Sequence, residues 1–331
     1  MGKRVAIVGA TGAVGVEMLK VLEKRKFPVS ELKLLASGRS AGKKMTFAGK
    51  EYTIEELTKD SFKNIDIALF SAGGSISKEF APIAVTAGAV VVDNSSAFRY
   101  EAEIPLVVPE VNPEDIKKHK GIIANPNCST IIMVTALNPI HKLSPIKRIV
   151  VSTYQAVSGA GAAAMEEAIT QTKQFLKGEK VVVDKFAHQI AFNLIPHIDV
   201  FQDNGYTKEE MKMVWETRKI MHDDSIMVTP TTVRVPVLRS HSESILVETK
   251  QKLTLEAVRK ALKNAPGVIV EDEPSKKIYP MPLFTSEKDE ISVGRIREDL
   301  SSETGINLWV VGDQILKGAA LNAVQIAEYL L

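Results

Sequence analysis

The sequence predicts an α/β protein in two parts: a doubly wound parallel-sheet domain, then an α+β domain on a mixed sheet. Three observations predict it. Short apolar runs ending in small residues alternate with helical patterns over the first ~125 residues, as in βαβ units. A glycine-rich turn, Gly9 to Gly15, joins the first such run to the first helical pattern. After about residue 145 the strand-like segments lengthen and carry Thr, Ser and Arg, which suits a half-exposed or mixed sheet.

Residues 4–8 are a short apolar run, and residues 16–25 read as a helix with Met18, Leu19 and Leu22 on one face. Leu32–Ala36, Ile65–Ser71 and Val90–Asp93 are three more short strands. Buried parallel strands of this kind place a ligand beyond their carboxyl ends. Further on, Ile149–Tyr154, Val228–Val237 and Ser244–Lys250 read as longer strands. Residues 160–176 are helical, and residues 207–221 open with Thr207 and Glu210 at capping-box spacing. Asp313 to Leu331 reads as one amphipathic helix, and the domain change falls near 125–130.

At 331 residues the chain is long enough for two domains and for a core that needs no disulfide or metal. Its 42 basic and 40 acidic residues leave +2 with no long run of either sign, which disfavours nucleic acid as a partner. No apolar run approaches the ~18 residues that a bilayer demands. The single cysteine excludes an internal disulfide and suits a reducing, cytoplasmic setting. No metal site is expected.

In Gly9-Ala10-Thr11-Gly12-Ala13-Val14-Gly15 the first glycine permits a tight turn and the second lets backbone amides approach a pyrophosphate. The third allows close helix–strand packing. Strand two ends in Ser37-Gly38-Arg39-Ser40, with Lys43 and Lys44 behind, rather than in the acid usual for NAD. Arg39 and Ser40 therefore favour NADP; a solvated basic loop is the alternative. Ser71 and Ala72 form a second small-residue turn, which either passes under the dinucleotide or is simply a turn.

Asn125-Pro126-Asn127-Cys128-Ser129-Thr130 precedes an apolar helical run, so Cys128 lies at a helix N-terminus, a position that favours a thiolate. Polar neighbours argue against a buried structural thiol. A thiolate beside a nicotinamide cofactor implies a thioester or thiohemiacetal with hydride transfer at its carbon. Of six histidines, His241 stands out in Arg234-Val235-Pro236-Val237-Leu238-Arg239-Ser240-His241, where two arginines suit an anionic substrate and the histidine suits acid/base work.

Together the glycine loop, Asn127-Cys128-Ser129-Thr130, Ser152 through Gly161 and Arg234 through His241 resemble aspartate-β-semialdehyde dehydrogenase of the bacterial type, over essentially the whole chain. That resemblance implies a Rossmann-type NADP-binding domain at 1–127 and 312–331. It implies a catalytic and dimerisation domain at 128–311, with the C-terminal helix returning to the nucleotide domain. The implied reaction converts L-aspartyl 4-phosphate to L-aspartate 4-semialdehyde and phosphate with NADPH, in lysine, threonine and methionine biosynthesis. Cys128 is implied as the acyl-thioester nucleophile, His241 as acid/base, and Gln155 as the residue orienting the acyl group. Asn127 would contact phosphate and substrate. Arg234 would pair with the substrate α-carboxylate, Arg99 and Lys219 with phosphate, and Glu216 with the amine. Cofactor positions by the same resemblance are Gly9, Thr11, Gly12, Ala13, Val14, Arg39, Ser40, Ser158, Gly159 and Gln314. A homodimer or homotetramer is implied.

Three rivals share parts of this chemistry; one, glyceraldehyde-3-phosphate dehydrogenase, also places a cysteine before Thr-like residues but usually carries an acid after strand two, which is absent here. N-acetyl-γ-glutamyl-phosphate reductase uses the same logic on an N-acylated substrate, for which a carboxylate at Glu216 has no use. A non-catalytic NADP-binding redox sensor would need the thiol but not the arginines, histidine and glutamine around it.

Overall fold

The computed structural model describes residues 2–331, which form two compact units: the chain up to Asn127 with Ala319–Leu331, and Cys128–Gly318. The return to the first unit comes at Ala319, seven residues later than the 312 that the resemblance implies.

In the first unit, β1 (Lys3–Val8), α1 (Ala13–Lys24), β2 (Val29–Ala36), β3 (Lys44–Phe47), β4 (Lys50–Glu56), β5 (Ile67–Phe70), α2 (Gly74–Thr86), β6 (Val90–Asp93) and β7 (Ile122–Ala124) follow one another. They build a seven-stranded sheet in the order β3-β4-β2-β1-β5-β6-β7, parallel except for the β3–β4 hairpin. The order reverses at β1, where a doubly wound sheet opens its ligand crevice. Met18, Leu19 and Leu22 of α1 are buried, as their spacing predicts. Val8, Leu35, Phe62, Phe70 and Val91 share one core, with the Phe62 and Phe70 rings stacked at 5.8 Å. Each such side chain contributes roughly 1.5–3 kcal/mol on burial. The C-terminal helix, Leu321–Glu328, belongs to this unit: Asn322 Nδ2 donates to Val107 O (2.9 Å) and Asn125 Oδ1 (2.7 Å).

The second unit contains α3 (Cys128–Leu143), β8 (Ile146–Gln155), α4 (Ala162–Leu176), α5 (Lys208–Met221), β9 (Met227–Arg234), β10 (His241–Thr249), α6 (Leu255–Lys263), β11 (Val268–Val270), α7 (Pro282–Thr285), β12 (Ile291–Glu298) and β13 (Gly305–Gly312). Its six strands run β11-β12-β13-β10-β8-β9, a mixed sheet with parallel pairs at both edges. α3 packs on β8, β10, β12 and β13, and α5 on β9. Thr207 caps α5 through the expected box: Glu210 N–H donates to Thr207 Oγ1 (3.3 Å) and Thr207 N–H to Glu210 Oε2 (2.7 Å). β9 stops at Arg234, short of the expected Val237, because Pro236 has no amide for a ladder.

The expected single helix from Asp313 is instead interrupted. Asp313 Oδ1 accepts from the amides of Ile315 (2.9 Å) and Leu316 (3.1 Å), and a π-helical turn, Leu316–Ala320, precedes the C-terminal helix. Among the described residues no helix is long and apolar enough to cross a membrane.

Candidate active site

In the first unit the loop after β1 has the form an anion demands. Gly9 has φ +86°, and a Cβ there would fall 2.4 Å from Ser71 O, so the β1 and β5 loops touch through a glycine. A Cβ on Gly15 would fall 2.3 Å from Gly9 O, which is the close helix–strand contact expected of the third glycine. Thr11 and Gly12 are exposed, Gly12 caps α1 without a side-chain bond, and α1 has no acid in its first turn. The amides of Ala13 and Val14 thus head a helix whose first turn is left open to a phosphate. Arg39 is exposed and, among the described residues, has no hydrogen bond or ion pair; Ser40 lies beside it in a turn closed by Ser40 N–H to Ser37 O (2.8 Å). Sequence reasoning found no acid at the end of strand two, yet the fold brings one in. A Cβ on Gly38 would fall 2.8 Å from Glu56 Oε1, at the end of the neighbouring β4.

The loop after β6 is fixed by Asp93, whose carboxylate accepts from Ser77 Oγ (2.6 Å) and Ser95 Oγ (2.7 Å). It delivers Arg99, which is buried, with Nε on Asn125 O (2.9 Å) and Nη2 on Asn94 O (3.0 Å). The guanidinium is therefore docked on the main chain three residues before Cys128, with Asn127 buried at the end of the same segment.

In the second unit Cys128 is the first residue of α3 and is half-buried. The sheet register sets the rest. Gln155 lies opposite Arg234 across β8–β9, and Ser242 opposite Tyr154 across β8–β10, so His241 stands level with Gln155. All three are buried. The main chain at Ala156 ties two of them together: its N–H donates to His241 Nδ1 (3.0 Å), and its carbonyl accepts from Arg234 Nη1 (2.7 Å). Gln155 Nε2 donates to Glu209 Oε1 (3.2 Å) and lies 3.5 Å from His241 Nε2. Glu209 Oε2 in turn accepts from Lys212 Nζ (2.9 Å), which also donates to Asp199 (2.9 Å).

Burial, with the Arg234 charge beside it, pulls the His241 imidazole down to about 3, and Glu209 opposes the shift only in part. The ring is neutral at pH 7. Burial also lowers Arg234, opposed by the charges of Glu209 and Cys128. Burial pulls the Lys212 ammonium down, but Glu209 and Asp199 outweigh it and raise the group above its ordinary range.

Gly159 is pressed against this cluster, since a Cβ there would fall 2.9 Å from Arg234 Nη1 and 3.2 Å from His241 Cε1. Ser240, with φ +71°, turns the chain into β10 just before His241. Its amide donates to Gln314 Oε1 (2.8 Å), and Gln314 Nε2 donates to Ser158 Oγ. Ser158 and Gln314, expected at the cofactor, thus brace the histidine turn.

The comparisons with known proteins agree in one direction. Residues 4–119 match the semialdehyde dehydrogenase NAD-binding domain, and residues 137–317 the semialdehyde dehydrogenase dimerisation domain. The aspartate-semialdehyde dehydrogenase of Aquifex aeolicus is 62% identical over 100% of this chain and 98% of its own length. That of Bacillus subtilis is 54% identical over 99% and 97%. The chain belongs to the aspartate-semialdehyde dehydrogenase family. The crystal structure of aspartate-semialdehyde dehydrogenase II from Vibrio cholerae, complexed with ASA, superposes with a TM-score of 0.97 at 53% identity, covering 100% of this chain and 98% of that one. An aspartate-semialdehyde dehydrogenase with NADP from Candida albicans gives 0.76 at 27% identity, covering 100% and 98%.

The resemblance implies Glu216 and Lys219 as the substrate acid and lysine; in the structure Glu209 of α5 bonds Gln155, with Lys212 on its other oxygen. Glu216 and Lys219 lie seven residues further on, about 10.5 Å along the helix axis. Glu209, Lys212 and Thr153, whose Oγ1 donates to Gln155 Oε1 (3.0 Å), were not singled out from the sequence. Only the three-residue acid–lysine spacing at 209 and 212 was there to be read.

Proposed function

We propose that this chain is the NADP-dependent enzyme that converts L-aspartyl 4-phosphate to L-aspartate 4-semialdehyde and phosphate, reversibly, within amino-acid biosynthesis. The observation that carries the reading is the second-unit cluster: Gln155, Arg234, His241 and Glu209 converge at the level of one sheet row, in the unit that Cys128 opens.

The Cys128 sulfur attacks the acyl carbon, the carbon–oxygen bond to phosphate breaks, and phosphate departs with the electron pair. Arg99 and Lys212 are the cations assigned to the departing charge, with Lys212 taking the place expected of Lys219. Asn127, next to the nucleophile, holds phosphate and acyl group. Arg234 offers the planar fork that grips a carboxylate in bidentate fashion. Glu209, in the place expected of Glu216, meets the substrate ammonium, which gives the acid no use in an N-acylated substrate. Gln155 orients the acyl carbonyl. NADPH, when bound, supplies the hydride that reduces the thioester carbon. His241 gives its proton to the thiohemiacetal oxygen as it forms and takes it back as the carbon–sulfur bond breaks, releasing aldehyde and restoring the Cys128 thiolate.

The first unit fits the cofactor: open amides at Ala13 and Val14 suit the pyrophosphate, and the unpaired Arg39 with Ser40 suits a 2′-phosphate. Gly9, Thr11, Gly12, Ser71 and Ala72 complete the loops at the strand ends. Ser158, Gly159 and Gln314 are proposed on the nicotinamide side. The matched dimerisation domain supports a homodimer. A Cys128→Ala variant is expected to bind NADP and show no phosphate-dependent turnover; measurable turnover overturns the thioester route.

A further inference from the structure

The hydrogen bonds around His241 settle which nitrogen carries its proton. Ala156 N–H donates to Nδ1, so Nδ1 is an acceptor, and a neutral ring must then be protonated at Nε2. The depressed basicity of the buried ring keeps it neutral. Gln155 is pinned at both ends. Glu209, paired with Lys212, is an ionised acceptor, so it takes the amide nitrogen, and Gln155 Oε1 receives the Thr153 hydroxyl. Gln155 Nε2 keeps a second hydrogen. His241 Nε2 and Gln155 Nε2, 3.5 Å apart, are therefore both donors and cannot satisfy one another. Two N–H groups so placed are matched by one oxygen that accepts from both.

Thr153 belongs to an unusual row. Behind Gln155 and Arg234 on the buried sheet face come Glu243, Thr153 and Thr232, paired across β10, β8 and β9; behind them come Ile245, Val151 and Pro230. Among the described residues, Glu243 and Thr232 have side-chain oxygens with no hydrogen-bond partner, whereas the Thr153 hydroxyl donates to Gln155. Residues 153 and 155 lie on one face because strand side chains alternate.

We propose that Thr153 is a positioning residue: it fixes the Gln155 amide so that Gln155 Nε2–H and His241 Nε2–H form a two-donor cradle for the acyl oxygen. That oxygen gains negative charge when sulfur or hydride adds to its carbon, so the cradle binds it more tightly at the transition state than in the ground state. The inference rests on the semialdehyde dehydrogenase reading for the identity of that oxygen, but not for the donor geometry.

The test compares Thr153→Val with Thr153→Ser in the full-length enzyme. Valine keeps the shape and removes the hydroxyl; kcat is expected to fall about tenfold with KM for the semialdehyde within about twofold. Serine is expected to restore kcat to within about threefold of the parent enzyme. Unchanged kcat in Thr153→Val, or a Thr153→Ser variant as slow as the valine, overturns the proposal. Should the valine variant not fold, Thr153→Ala takes its place against Thr153→Ser, with the same two outcomes. Independently, long-range 1H–15N spectra of histidine-labelled resting protein, with His241 assigned by its loss in His241→Asn, are expected to show a bare Nδ1 and protonated Nε2 at neutral pH. A protonated Nδ1 overturns the cradle. If the parent protein does not turn over the semialdehyde, the functional reading fails while this spectrum still decides the donor geometry.

Discussion

Cys128 and Gly318 are packed so closely that a Cβ on Gly318 would fall 2.9 Å from Cys128 Cβ and 3.3 Å from its Cα. The obstacle is main chain as well as side chain, so the start of α3 must move to admit a methyl group. Gly318→Ala is therefore expected to fold, to lose several degrees of Tm, and to lower kcat by about tenfold or more, because misplacement of about 1 Å can cost about a hundredfold. Thermal melting and steady-state kinetics check it. Gly12→Ala, where the nearest atom is Gly9 O at 3.4 Å, is the steric contrast: its kcat should change far less, with any loss appearing in cofactor affinity.

Gly159→Ala crowds a different pair. Its methyl group meets Arg234 Nη1 at 2.9 Å and the His241 ring at 3.2 Å, so the proposed carboxylate-binding group and the proposed acid are both displaced. A rise in KM for the semialdehyde together with a fall in kcat is expected, each about tenfold. A change confined to KM for NADP would mean that Gly159 serves the cofactor alone.

Charge removal tests the proposal that Glu209 is the acid of α5 that meets the substrate ammonium. Glu209→Gln takes away the carboxylate bonded to Gln155 and Lys212, and KM for the semialdehyde should rise by about ten- to a hundredfold, as expected for a lost charge-assisted contact. Glu216→Gln, in a fully buried side chain two turns further along, should lower stability and leave KM within about twofold. Kinetics showing the reverse pattern would return the role to Glu216.

Two buried groups give stability a pH dependence of opposite sign. His241 is depressed to about 3, so below its unfolded value of about 6.5 the unfolded chain binds a proton that the native protein refuses. Stability is thus lost as pH falls from about 6.5 towards 3, at up to about 1.4 kcal/mol per pH unit. Burial raises Glu243 well above the carboxylate range, so here the native protein keeps a proton that the unfolded chain releases above about 4.5, and stability is lost as pH rises. Glu243→Gln removes only the second effect. Urea unfolding at pH 5 and pH 8 should show the variant gaining on the parent protein as pH rises; an equal difference at both values would mean that Glu243 is not held protonated.

The first unit was legible because buried parallel strands read as apolar runs. The β3–β4 hairpin was not: Lys44–Phe47 and Lys50–Glu56 are mostly exposed and polar, so no run marks them, and Lys44 is taken up in a pair with Glu51 (2.7 Å) rather than left for a phosphate. Cys128, Arg234 and His241 stand out in the sequence by residue type and motif, whereas Gln155, which the structure brings to His241 and Arg234, is singled out only by the family resemblance. Glu209 could not be told from Glu216. Seven residues make nearly two helical turns, so both acid–lysine pairs share a face of α5 and only tertiary neighbours separate them. The roles of Gly318 and Thr153 depend on contacts 190 and two residues away along the chain, and neither residue carries a local signal.

The most direct test is reduction of NADP by the purified protein with L-aspartate 4-semialdehyde, with and without phosphate, alongside N-acetylglutamate 5-semialdehyde. Strong phosphate-dependent reduction with the first aldehyde alone is the expected result. Turnover of the N-acetylated aldehyde alone, or of neither, would contradict it.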